Sequence, residues 1–138
     1  MILGVGADII EVARIQSAYE RFGQRFLERI LRPEEIAYCL AHRCPAPHLA
    51  ARFAAKEAVS KAFGTGIGKE LGWHDMEVAR QASGQPLVLL HGQGRRLFAQ
   101  RSATHLHLSL THTEHYAVAV AVMEREQPWV TSADPMSR

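Results

Sequence analysis

Cysteine is scarce in this sequence: Cys39 and Cys44 are the two among 138 residues. Two cysteines cannot build a disulfide framework, and a structural zinc site draws on about four N or S ligands. Both are read as free thiols, which fits a reducing, cytoplasmic compartment. Long apolar runs are also missing. The N-terminal stretch MILGVGADIIEVARI has no basic start, and Asp8 and Glu11 interrupt it. It is expected to be neither a signal peptide nor a membrane span, which takes about 20 apolar residues. Charge of one sign is weak. A formal net charge of +2 does not by itself imply nucleic-acid binding, and none is expected. No internal repeat and no low-complexity segment is present. What remains, 47% hydrophobic and 22% charged, is the composition of one globular domain that forms a core without disulfides. The domain is expected over residues 1–124, with a frayed polar tail over 125–138.

Residues 2–10 alternate as a strand, with Leu3, Val5, Ala7 and Ile9 on one face. Gly4, Gly6 and Asp8 share the other, and the glycines are expected to leave open space beside the carboxylate. Ile15, Tyr19, Phe22, Phe26 and Ile30 make a helical stripe over 13–31, weakened at Gly23. Pro33-Glu34-Glu35 opens a new helix. CPAP at 44–47 reads as a loop, followed by a helix over 49–63 with Gly64 as its cap. WHDMEV at 73–78 and LVLL at 87–90 read as strands on either side of the turn ASGQP. A short helix near 94–102 precedes a strand with Leu106, Leu108 and Leu110 on one face. AVAVAV at 117–122 closes the set as a strand with one crowded face.

Three groups of residues carry possible chemistry. Glu57 and Lys61 share a helix face among Ala50, Ala54 and Ala58, whose small side chains let a ligand or another backbone approach. The pair is either an ordinary i,i+4 ion pair, contributing roughly 0.2–0.5 kcal/mol, or part of a site. Asp8 offers a second carboxylate; two carboxylates with waters and substrate phosphates suit Mg²⁺, provided the fold unites them. GTGIGK at 64–69 is either a plain loop or a phosphate cradle. It lacks the Gly-Lys-Ser/Thr of a P-loop. Arg14, Arg21, Arg25, Arg29 and Arg32 lie within an arc of roughly 80° on one continuous helix, either a solvated face or a docking surface for something acidic. His105 and His107 share a strand face, and His112 and His115 flank a turn, without a zinc-binding pattern such as HExxH.

Three stretches in this order, GVGADIIEVARI, ARFAAKEAVSKAFGTGIG at 51–68 and LSLTHTEHYAVA, resemble the holo-[acyl-carrier-protein] synthases. These are the small bacterial 4′-phosphopantetheinyl transferases, and the resemblance spans about residues 1–124. It implies an α+β fold and a homotrimer with active sites between subunits. It implies a Mg²⁺-dependent enzyme that moves the phosphopantetheine arm of coenzyme A onto a serine of apo-acyl carrier protein. By match to the motifs, Asp8 and Glu57 hold the metal and Lys61 meets the transferred phosphate. Glu57 is either ligand alone or also base. Arg52, Gly64, Gly66, Ser109, His112 and Thr113 line the coenzyme A site. Arg14, Arg21, Arg25 and Arg29 dock the acidic carrier. In the loop AHRCPAPH the available basic groups are Arg43 and histidines. Two competing readings are a nucleotide- or RNA-binding module without catalysis and a histidine-metal hydrolase.

Overall fold

An alanine-rich helix lies across a sheet of equally small residues, and the rest of the chain is arranged around that contact. A computed structural model describes residues 1–128. Helix α4 (Pro45–Ala62) crosses a three-stranded antiparallel sheet of order β1-β5-β4, made of β1 (Ile2–Glu11), β4 (His105–His112) and β5 (Tyr116–Glu124). Ala117, Ala119 and Ala121 of β5 and Ala54 and Ala58 of α4 are fully buried. The intervening valines of β5 face away from the helix. On β1 a Cβ at Gly6 would lie 1.8 Å from the carbonyl oxygen of Ala58, and one at Gly4 would lie 1.9 Å from that of Ala62. The open space expected beside Asp8 is therefore filled by helix backbone at these glycines.

The stripe over 13–31 forms two helices, α1 (Val12–Phe22) and α2 (Gln24–Ile30), because Gly23 turns the chain at φ 59°. The arginine row consequently does not lie on one continuous helix. Helix α3 (Pro33–Leu40) begins where Pro33 and its acids predict. CPAP is not a loop: α4 starts at Pro45. Proline suits that position because it has the right φ and the first helical N–H needs no partner.

WHDMEV splits into a 3-10 turn (Trp73–Asp75) and the start of β2 (Met76–Arg80). Strand β2 pairs antiparallel with β3 (Pro86–Leu90) as a separate two-stranded sheet. Helix α5 (Gly92–Gln100) follows. The architecture is α+β, as the resemblance implies. The chain stays tied to the fold just beyond residue 124. The Arg125 N–H donates to the Met1 carbonyl at 2.8 Å, and the Glu126 N–H to Thr104 Oγ1 at 2.7 Å. Residues 129–138, where most of the frayed tail is expected, lie outside the described residues.

Candidate active site

Asp8 sits on the helix-facing side of β1, two residues after Gly6, and this strand–helix approach brings it to the Glu57–Lys61 face of α4. Lys61 Nζ lies 3.2 Å from Asp8 Oδ1 and donates to the Ala7 carbonyl at 3.0 Å. Lys61 thus pairs with the strand, and the i,i+4 ion pair with Glu57 does not form. Burial first, and then the negative charge of Asp8, raise the Glu57 carboxyl above its ordinary value, while Lys61 opposes them. The Glu57 carboxylate therefore feels a second carboxylate that a single lysine does not neutralise. An opening of about 350 Å³ lined by Ala7, Asp8, Ile9, Lys61 and Val118 lies alongside.

Two crowded carboxylates are hard oxygen donors whose repulsion a divalent cation relieves, so the donor set fits Mg²⁺. Among the described residues no three His, Cys, Asp or Glu gather into a metal cluster. The remaining coordination positions would fall to water and substrate. A histidine-ligated catalytic zinc has no ligand set among those residues.

Gly64 and Gly66 have φ of 78° and 66°. The Gly64 N–H donates to the Lys61 carbonyl at 2.9 Å, and the Thr65 and Gly66 N–H groups to the Ser60 carbonyl at 3.2 Å each. These donors satisfy carbonyls that the end of α4 leaves open. With the N–H groups of Gly64 and Gly66 already used within the chain, the plain-loop alternative is favoured for these two donors. What the glycines do provide is room, because nothing lies within 4 Å of a Cβ added at either one.

Arg52 is 2% exposed, its guanidinium 4.0 Å over the Tyr38 ring and its Nε without a partner. Around it stand His42 and His48, stacked at 3.6 Å, His112 at 5.3 Å from His48, and Arg80 at 5.4 Å over Tyr38. This cluster is cationic and aromatic. By helical period Arg52 lies about 140° around α4 from Glu57 and about 180° from Lys61. Strand register agrees: His112 pairs with Ala117, and Ala117 with Ile10, so β5 separates His112 from β1. Within one chain the Asp8–Glu57–Lys61 group and the Arg52–His112 cluster thus flank α4 on opposite sides.

Two other residues named by the resemblance do not join either group. Ser109 alternates to the outer sheet face beside Val120. Thr113 Oγ1 accepts from the N–H groups of His115 and Tyr116 at 3.3 and 3.1 Å and braces the β4–β5 turn.

Burial, then His42 and His112, then Arg52 and Arg80, lower the His48 pKa from 6.5 to about 4. The folded state excludes a proton that the unfolded chain accepts. The resulting stability is present above pH 6.5 and is lost as pH falls toward about 4. Because the ring is only partly buried and solvent screens it, this amounts to about 1 kcal/mol. Scanning calorimetry at pH 7 and pH 5 should show a smaller drop in Tm for His48→Gln than for the wild type. Equal drops would refute the assignment.

Arg14 and Arg21 on α1 and Arg25 and Arg29 on α2 are all exposed. The break at Gly23 wraps Arg25 and Arg29, with Ala18, Phe22 and Phe26, around a groove of about 480 Å³. Arg32 leaves the row, donating to the His74 carbonyl at 2.9 Å and approaching Glu77. Sequence reasoning noted the histidines of AHRCPAPH, His42 and His48, as basic groups but missed Arg80 and the joining of all three with Arg52 and His112, which are distant in sequence and share no periodic signal. It also missed Lys56, buried against Glu35 at 2.7 Å. There a signal existed: by helical period Lys56 falls in the middle of the apolar arc Leu49, Phe53, Ser60 and Phe63.

A family model described as the 4′-phosphopantetheinyl transferase superfamily matches residues 4–121. A holo-[acyl-carrier-protein] synthase of Koribacter versatilis is 48% identical over 124 residues, covering 90% of this chain and 99% of that one. One of Protochlamydia amoebophila is 48% identical over 122 residues, covering 88% and 98%. Among solved structures, the holo-[acyl-carrier-protein] synthase of Neisseria meningitidis superposes with a TM-score of 0.85 at 34% identity, covering 91% of this chain and 100% of that one. That of Helicobacter pylori, in complex with coenzyme A, gives 0.78 at 36%, covering 87% and 99%. With its α+β fold and paired carboxylates, this chain belongs to the 4′-phosphopantetheinyl transferase superfamily, a family of transferases.

Proposed function

We propose that this protein transfers the 4′-phosphopantetheine group of coenzyme A to a serine of apo-acyl carrier protein. The products are holo-acyl carrier protein, for fatty acid biosynthesis in the cytoplasm, and adenosine 3′,5′-bisphosphate. The observation that carries this reading is the convergence of Asp8, Glu57 and Lys61 at the β1–α4 contact. Bound to Asp8 and Glu57, Mg²⁺ supplies charge neutralisation on the pyrophosphate of coenzyme A. Lys61, released from Asp8, offsets charge on the same phosphates. The carrier serine oxygen forms a bond to the phosphorus bearing pantetheine, and the bond to the adenosine-side phosphate oxygen breaks. The serine proton passes to Glu57, directly or through water. Phosphoryl transfer of this kind depends on positioning and electrostatics, so this chain needs no nucleophile of its own. Arg52 and His112 hold coenzyme A, and Arg14, Arg21, Arg25 and Arg29 dock the acidic carrier.

Intact-mass measurement of an apo-acyl carrier protein incubated with this protein, coenzyme A and Mg²⁺ tests the reading. A gain of one phosphopantetheine arm, lost with EDTA, is expected. No gain with several carriers and a folded protein would overturn it.

The opposite placement of the two groups around α4 favours a homotrimer in which neighbouring copies complete each site. The outer sheet face suits such contacts, with Val5, Ile9 and Val120 exposed by 60%, 64% and 40%. Sedimentation should give three chains for the wild type. The Ile9→Asp/Val120→Asp variant should sediment as a monomer with activity reduced by roughly a hundredfold, since a charge is excluded from an apolar interface. A monomeric variant with full activity would rule out the shared site.

A further inference from the structure

Two opposite charges lie wholly inside this protein, where a buried ion pair commonly contributes no more stability than a well-packed apolar pair. Lys56 Nζ, 0% exposed, donates to Glu35 Oε1 at 2.7 Å, to the Ile30 carbonyl at 2.7 Å and to the Trp73 carbonyl at 3.1 Å. Every N–H of the ammonium is thereby used. Glu35 Oε1 also accepts from the Arg32 N–H at 2.9 Å, and Oε2 from the Val78 N–H at 2.9 Å. One side chain of α4 is thus bonded to the last residue of α2 and to the 3-10 turn. Through Glu35 it also reaches the start of α3 and β2.

The position of this hub matters more than its net energy. Lys56 immediately precedes Glu57. Ile30 ends the helix that carries Arg25 and Arg29. Apart from Lys61 on Asp8 and the Ala7 carbonyl, α4 meets its sheet through alanine and glycine, whose contacts are close but carry no directional hydrogen bonds between side chains. Contacts of that kind resist approach and resist sliding less well. The three acceptors of Lys56 supply direction on the side of α2, α3 and the 3-10 turn. His74 adds a second tie to α2 through the Glu28 carbonyl at 2.5 Å.

We infer that Lys56 is a positioning residue, holding α2 and its arginines in fixed register with Glu57 so that a docked carrier presents its serine to the site. The role in transfer rests on the function proposed above; the anchoring of α2 does not. Lys56→Arg keeps the charge on Glu35 but not the geometry of the carbonyl bonds. Lys56→Met/Glu35→Gln removes both charges together, which avoids stranding one of them.

Hydrogen exchange measured by mass spectrometry should be at least about tenfold faster in 24–30 of both variants, with β1, β4 and β5 unchanged. In steady-state kinetics KM for the apo-carrier should rise roughly tenfold while KM for coenzyme A stays within about twofold. Unchanged exchange in α2 of folded variants would overturn the anchoring whatever the activity. Accelerated exchange with equal changes in both KM values, or with none, would overturn the link to carrier presentation. Wild-type protein that transfers nothing removes the proposed function instead, and the exchange data still decide the anchor.

Discussion

Glu57→Ala should lower turnover by roughly a thousandfold, about 4 kcal/mol of transition-state stabilisation, in a protein that remains folded. The side chain supplies half of the carboxylate pair that would hold the metal. Without metal, the Glu57→Ala variant should be no less stable than the wild type at neutral pH. The sign follows from the environment. Burial and Asp8 raise the Glu57 pKa in the folded state, so folding disfavours the ionised form. The metal-free wild type loses stability as pH climbs from the ordinary glutamate value of 4.5 through the raised one. Removing the charge removes that loss. Mg²⁺ should raise the Tm of the wild type and not that of the variant. The checks are turnover by intact mass and Tm with and without Mg²⁺. Near-normal turnover in a folded Glu57→Ala protein would sink the assignment of this residue.

The largest structural effect is expected at a residue with no side chain. A Cβ at Gly6 would sit 1.8 Å from the Ala58 oxygen and 2.7 Å from the Ala62 nitrogen. Both are backbone atoms of the helix that carries Glu57 and Lys61, so no flexible side-chain end can yield. Gly6→Ala should cost about 3 kcal/mol or more, a fall in Tm of about 10 °C, or prevent folding. Because Asp8 follows two residues later, the displacement should also reduce activity in whatever fraction folds. Gly68→Ala is the control. Nothing lies within 4 Å of an added Cβ there, and the change should stay within about 0.5 kcal/mol. Calorimetry on both proteins gives the comparison, and an unchanged Tm for Gly6→Ala would refute the close approach of β1 to α4.

Much of this was legible in the chain because it depends on local order. Strand alternation at 2–10 and at 117–122, the proline and acids opening α3, and Gly64 ending α4 are effects of neighbours in sequence. So is the break at Gly23, where glycine's freedom at positive φ outweighs an unbroken apolar stripe. The three motif stretches identify the family for the same reason: their residues are contiguous and in order.

CPAP was misread because two prolines suggest a loop, although proline at a first turn costs a helix nothing. The glycine loop stayed open between a plain loop and a phosphate cradle, since a run of glycines does not reveal whether its N–H groups face a ligand or the end of a helix. Lys61 was read beside Glu57 because helical spacing is all a sequence offers. In space β1 provides Asp8 and the Ala7 carbonyl instead.

By itself, then, the sequence determined the elements, the family and the candidates Asp8, Glu57 and Lys61. Periodicity and motif spacing are properties of one dimension. Only the tertiary structure decided who meets whom. The absence of side chains at Gly4 and Gly6 lets β1 approach α4 and brings Asp8 to Glu57. The thickness of α4 places Arg52 and His112 on its other side. Lys56 turns inward because five segments of the chain enclose a point where its charge is matched. Each is a contact between residues far apart along the chain, and such contacts exist only once the chain has packed.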